Sequence, residues 1–243
     1  MNYLAIDAST EACSVALRFN DKTYSRYELC PQSHSLMLLP MVDEVLKEAG
    51  VKLNQLDGLV YGRGPGSFTG VRIGIGVAQG LAFAANLPVV GVSTLQAMAQ
   101  AAYMKHGQSL VLSAIDARMS ETYSGLFRLD QNNLMQAVVD EVVMAPEKLH
   151  DHFVEHYSKP QDSASAPSAT KLNGVGSAWN AYAEQLANIG DININDDIEF
   201  PTAEAMLEIG AIALDNGDGV SAEHAQPVYL RDTVTWKKLP GRE

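Results

Sequence analysis

The chain is short of several things, and each shortage narrows what it can be. It has two cysteines, Cys13 and Cys30, and no Cys-x-x-Cys spacing. That argues against a disulfide-stapled scaffold and for a reducing, cytoplasmic setting. Cys13 falls in an apolar alternation and reads as a small buried side chain. Positive charge is scarce: 17 Lys and Arg against 29 Asp and Glu give a formal net charge of −12. Proteins that hold nucleic acid alone carry a basic face, because phosphate neutralisation dominates affinity. Here the one visible basic cluster is Lys237-Lys238 with Arg242, read as a solvated tail. No unbroken run of about 18 apolar residues is present, so no membrane span is expected. Met1–Asp7 has no basic stretch before an apolar one and is not read as a signal peptide. Gly-Lys-Ser/Thr is absent, which removes a Walker A loop.

Glycine, by contrast, is concentrated. Of 19 glycines, those at 58, 62, 64, 66, 70, 74, 76 and 80 lie in one stretch. Leu56–Tyr61 before it reads as a strand, and the proline-free run after it as a helix. A Rossmann fingerprint fails here: position 67 is Ser and Pro65 removes a backbone donor. In the helix, Gly70, Gly74, Ala78 and Ala82 recur every four residues, and Gly76, Gly80 and Ala84 form a second row. Each glycine costs a helix about 1 kcal/mol relative to alanine. Close packing on both faces would offset that, so packing is favoured over phosphate binding.

The remaining pattern is α/β. Residues 2–7, 12–19 and 23–29 read as a three-strand meander. A helix follows to Ala49, capped by Ser33 or Ser35 and closed by Gly50, with Pro40 suggesting either an irregular first turn or a helix that properly starts near it. Its first half is apolar nearly all round, so one face is expected to meet something besides its own core. Leu87–Val92 is a strand, and Ser93-Thr94 caps the next helix. The first half is thus β-β-β-α-β-α-β-α. Leu4-Ala5-Ile6-Asp7-Ala8 recurs as Ser113-Ala114-Ile115-Asp116-Ala117, each followed by a polar turn with Glu11 or Glu121 and then a strand. This suggests two copies of one module. The second copy is read as strands near 110–117, 122–127 and 137–144, a helix 147–156 opened by Pro146, strand 171–175, helix 177–187, strand 192–194 and helix 202–215. The division expected is 1–106, 107–231 with a low-complexity excursion at 158–170, and a tail at 232–243.

Chemical groups are sparse. Asp7-x-Ser9-Thr10 at a strand end could hold a phosphate or a metal-bound water, or form an Asx/ST turn; alone, the turn is favoured. His150-x-His152-x-x-x-His156 lacks a completing ligand and reads as a solvated face. Gly66–Gly70 lacks the nucleophile-elbow spacing, and no triad is visible.

Asp7-Ala8-Ser9-Thr10, the run Gly62–Gly74, Gln79–Ala82, Gly91–Leu95 and Pro227–Arg231 together resemble the bacterial TsaB (YeaZ) family, over essentially the whole chain. The resemblance implies the actin-like, sugar-kinase-like ATPase (ribonuclease H-like) fold, with two lobes from a duplicated βββαβαβα module. It implies a role in forming threonylcarbamoyladenosine beside the anticodon of tRNAs that read codons starting with A. The expected role is a non-catalytic paralogue of the transferase subunit TsaD, forming a heterodimer with it, assembling further with TsaE, and forming a homodimer when alone. Contact with tRNA is expected to be indirect, and the peptidase label once given to the family finds no nucleophile, base or metal set. The paralogue's His-x-x-x-His metal motif has no counterpart in Ser93–Met98, so no metal is expected. No tightly bound cofactor is expected, with ATP or ADP only in the complex and Asp7, Ser9 and Thr10 as the candidate contacts. The partner interface is expected on Leu36, Met37, Met41, Val42 and Val45 of one helix and Gly70, Ile73, Gly74, Val77, Ala78 and Leu81 of the next.

Overall fold

Strand β1 (Tyr3–Asp7) is buried along its whole length. A strand buried at every position must be covered on both faces. Here Leu4 and Ile6 face one core, and Tyr3 and Ala5 face another. The computed structural model describes residues 1–157 and 171–231, so the excursion expected at 158–170 and the tail at 232–243, with Lys237, Lys238 and Arg242, lie outside the described residues.

β1 is flanked by β2 (Ala12–Phe19) and β3 (Lys22–Leu29) on one side, and by β4 (Gly58–Gly62) and β5 (Val89–Val92) on the other, in the order β3-β2-β1-β4-β5. β1, β2 and β3 pair antiparallel, whereas β1, β4 and β5 pair parallel. Parallel pairing demands crossovers, supplied by α1 (His34–Ala49) and α2 (Phe68–Ala85). Helix α3 (Thr94–His106) ends the first half.

The second half repeats the plan with β6 (Leu110–Asp116), β7 (Thr122–Leu129), the short β8 (Met135–Ala137) and β9 (Val142–Met144), α4 (Leu149–Tyr157), β10 (Leu172–Val175), α5 (Ala178–Ala181), α6 (Ala183–Leu186), β11 (Ile192–Ile194) and α7 (Ala203–Asp215). Its sheet order, β11-β10-β6-β7-β8, is the first order read from the other edge. Duplicated sheets of this order with crossover helices make the actin-like fold.

The last helix of each half crosses to the other half. α7 packs its Ala203, Met206, Leu207 and Ala211 with Tyr3, Ala5 and Val60 of the first sheet. α3 packs its Leu95, Met98, Ala99 and Ala102 with Val111, Ile115 and Phe127 of the second. The two helices touch each other between the sheets. The outer faces are covered by α1 and α2 on one side and by α4, α5 and α6 on the other.

Three local expectations change. The strand expected at 137–144 is split into β8 and β9, both paired to β7. The helix expected at 177–187 breaks at Tyr182, which leaves helical geometry at φ −129° while its hydroxyl donates to Asp116 Oδ1 at 2.8 Å. α1 is regular from His34 and carries Pro40 inside it; the bond that proline cannot make is lost on the exposed side, with Leu36, Leu39 and Pro40. By length and composition α2 alone is long and apolar enough to cross a membrane among the described residues. Its Val71, Ile75, Ala78 and Ala82 belong to the core over the first sheet.

Gly210 on α7 sits where a Cβ would overlap the Val60 side chain on β4. Gly210→Val should therefore destabilise the chain by roughly 1–3 kcal/mol through overpacking. Urea denaturation followed by circular dichroism measures this, and an unchanged midpoint would mean that the helix is free to move away.

Candidate functional site

The glycine stretch wraps the end of β1. Cβ atoms at Gly66 and Gly70 would overlap the carbonyl oxygens of Ser9 and Ala8, and one at Gly62 would overlap Asp7 Oδ1. Only glycine permits backbone to come that close. The loop's polar groups are spent on protein. Ser67 N–H donates to Ser9 O at 2.7 Å, Arg63 N–H to Val92 O at 2.9 Å, and the carbonyls of Gly64 and Arg63 accept from Thr94 and Val228. Ser67 Oγ caps α2 by accepting from Gly70 N–H. The stretch clamps its own chain rather than cradling a phosphate.

Inside this clamp Asp7 is 1% exposed. Its Oδ2 accepts from Ser9 N–H at 3.2 Å and from Ser9 Oγ at 3.1 Å, the Asx-turn geometry. Its Oδ1 is buried without a hydrogen-bond partner among the described residues. Burial pushes its carboxyl up to about 6, opposed by the Ser9 hydrogen bonds. Ser9 Oγ also meets Thr94 Oγ1 at 3.0 Å, and Thr10 O accepts from His34 Nε2 at 2.6 Å.

A cleft of about 840 Å³ lies between the halves, lined by Ser9, Thr10, Ser67, Phe68 and Arg72 from the first, Asp116, Arg118 and Ser177 from the second, and Val228–Arg231. Ser9 and Thr10 border it, but Asp7 does not, because Gly62 and Ser9 seal it in. Of the three expected nucleotide contacts, Ser9 and Thr10 thus line the cleft and the Asp7 carboxylate sits behind its wall. Arg118 spans the cleft, donating to Asp116 Oδ2 at 2.9 Å and to Glu11 Oε1 at 2.8 Å. Arg231 pairs with Glu121 and donates to Ala117 O at 3.1 Å. The two glutamates that mark the repeat thus each hold an arginine.

The expected partner face is divided. Met41, Val42 and Val45 are 4%, 3% and 0% exposed and belong to the core under α1. Gly70, Gly74 and Ala78 are buried against the first sheet. These six, expected at the partner face, pack inside the chain: Met41, Val42 and Val45 lie in the core between α1 and the first sheet, and Gly70 and Gly74 lie against Ala8 at the end of β1. Met37, Ile73, Val77 and Leu81 are half-buried, and Leu36 is 73% exposed. The open surface includes residues absent from that list: Leu39, Phe83, and the Gly76 and Gly80 row, where a Cβ would meet nothing within 4 Å. Two glycine rows on one helix are equal in sequence; only the sheet's position tells which is covered.

A family profile described as TsaD, tRNA N6-adenosine threonylcarbamoyltransferase, matches residues 24–238. The chain is 46% identical over its whole length to all of the Escherichia coli tRNA threonylcarbamoyladenosine biosynthesis protein TsaB. With the Haemophilus influenzae protein of that name the identity is 42%, over 100% of this chain and 99% of that one. The crystal structure of YeaZ from Pseudomonas aeruginosa superposes with a TM-score of 0.81 at 43% identity, covering 94% of this chain and 99% of that one. A second Pseudomonas aeruginosa structure, described as similar to peptidase YeaZ, gives 0.81 at 44%, covering 95% and 99%.

The chain belongs to the TsaB family. Where the resemblance places the paralogue's metal histidines, this TsaB-family chain has Ser93–Met98, the first turn of α3. Ser93 Oγ caps the helix and bonds Glu141, Thr94 bonds Ser9, and Leu95, Ala97 and Met98 are fully buried. Of the histidine cluster, His150 Nδ1 bonds Tyr157 Oη at 3.0 Å and His152 meets the Phe153 ring edge-on.

The buried carboxyl gives a signed pH dependence. A raised folded-state value favours the protonated form, so Asp7's contribution to stability is whole below about pH 4 and is lost as pH rises through about 6. Asp7→Asn should raise the stability at pH 8 by roughly 2–3 kcal/mol and change it little at pH 4. Thermal melts at the two pH values test this; an equal effect at both would show that the carboxyl is not ionising.

Proposed function

We propose that the chain is a non-catalytic scaffold subunit in forming N6-threonylcarbamoyladenosine next to the anticodon of tRNAs that read codons starting with A. It docks on TsaD through the solvent side of α1 and α2, recruits TsaE to the assembly, and uses the same face for a homodimer when alone. The observation that carries this is the open apolar face itself, with Leu36 73%, Leu39 50% and Phe83 82% exposed beside an uncovered glycine row. Apolar side chains held out in water are candidates for a partner contact, and glycine lets a partner helix approach closely. The chemistry of the inner groups supports a role without catalysis: Ser9 Oγ is committed to Asp7 and Thr94, and His34 to a carbonyl, so no serine is paired with a histidine base there.

A second reading, a weak actin-like ATPase, draws on the cleft volume and on Arg72, Arg118 and Arg231 around it. Sealed Asp7 weakens it. Calorimetry with ATP and ADP on the isolated chain separates the two: micromolar binding would promote the second.

Since nothing crowds a Cβ at Gly76 or Gly80, Gly80→Ala should stabilise the isolated chain by about 0.5–1 kcal/mol. Gly80→Arg and Leu36→Glu should leave the fold intact yet abolish co-purification with TsaD and the modification of tRNA by a mixture of the chain, TsaD and TsaE. Full complex formation by both variants would place the interface elsewhere.

A further inference from the structure

We propose that Cys13, Cys30 and His34 form a binding site for a zinc ion at the edge of the interlobe cleft. The two Sγ atoms and a ring nitrogen of His34 all lie within 4.8 Å of one another. Zinc bonds of about 2.3 Å to sulfur and 2.0–2.1 Å to nitrogen put ligand atoms roughly 3.3–3.8 Å apart in a tetrahedron. Closing the set therefore needs about an ångström of side-chain rotation at most.

The backbone holds the three in place. Cys13 lies on β2 opposite Glu28, and Cys30 follows β3 with its N–H donating to Glu11 O at 3.0 Å, so the cysteines are diagonal neighbours on one face of a ladder. A turn closed by Ser33 N–H to Cys30 O at 2.9 Å then delivers His34 as the first residue of α1. All three side chains are buried.

The histidine is set up as a ligand. A carbonyl oxygen can only accept, so the 2.6 Å contact with Thr10 O assigns the proton to Nε2 and leaves the lone pair on Nδ1. Ligating histidines commonly donate their second ring N–H to a backbone carbonyl in this way.

Charge selects the ion. Binding exchanges two thiol protons for one cation: two Cys-SH, one neutral imidazole and Zn²⁺ give a site of zero net charge and two released protons. A monovalent ion on two thiolates would leave a buried negative charge, which is costly. Thr10, Pro31, Gln32 and His34 line the cleft, which supplies an entry path and room for a water as fourth ligand.

The test uses the full, untagged chain, reduced and stripped with a chelator, titrated with Co²⁺ as the spectroscopic probe and then with Zn²⁺. We expect one equivalent to bind with a thiolate-to-cobalt band in the near ultraviolet and tetrahedral bands in the red. Zinc should displace the cobalt and raise the melting temperature. Cys13→Ala and Cys30→Ala should each abolish the thiolate band or halve it, and His34→Gln should weaken binding by about 10-fold or more. The wild-type titration stands alone where a variant does not fold. The proposal is overturned if the folded, reduced wild type shows no thiolate band, if the band is unchanged in folded cysteine variants, or if native mass spectrometry finds the pair only as a disulfide, 2 Da lighter, with no metal retained.

Discussion

The structure depends on how closely the glycine stretch lies against the end of β1. Gly66 and Gly70 bring backbone into contact with the carbonyls of Ser9 and Ala8, at a distance no side chain would allow. That contact fixes the angle at which α2 leaves the sheet, and hence the position of α1 beside it. It also seals Asp7 away from the cleft and orders the strand end from which Ser9 reaches Thr94 on α3. One steric fact thus connects the outer helical face, the cleft wall and the crossing helix.

The cost is visible in α2. A helix with four glycines is intrinsically weak, and two of them, Gly70 and Gly74, are offset by burial against β1. Gly76 and Gly80 have no such compensation among the described residues. A weak, uncovered helix face beside exposed Leu36, Leu39 and Phe83 is hard to account for by folding alone. The docking proposed for this face would offset that imbalance.

Much of the fold was legible in sequence because its signals are local. Strand alternation, Gly50 as a left-handed cap at φ +67°, and Ser93 accepting from Gln96 N–H are decided within a few residues. The recurrence of Ala5-Ile6-Asp7 at Ala114-Ile115-Asp116 gave the duplication, and the sheet orders repeat it. What the sequence concealed is non-local. Met41, Val42 and Val45 have the same apolar character whether they face a core or a partner, and the sheet beneath α1 decides. The break at Tyr182 follows from a hydroxyl that reaches Asp116 across 66 residues. Cys13, Cys30 and His34 are scattered in sequence and meet only through the β2–β3 register.

The exchange of α3 and α7 has a further consequence. Each module lends its last helix to the opposite sheet, and those helices touch in the middle. Topologically the chain is a swapped dimer written on one polypeptide. Each sheet keeps one core under its own helices and completes the other with a helix from the opposite half. A cut near Gly107–Ser109, just after α3, would leave two fragments that hold each other by the helices they have traded.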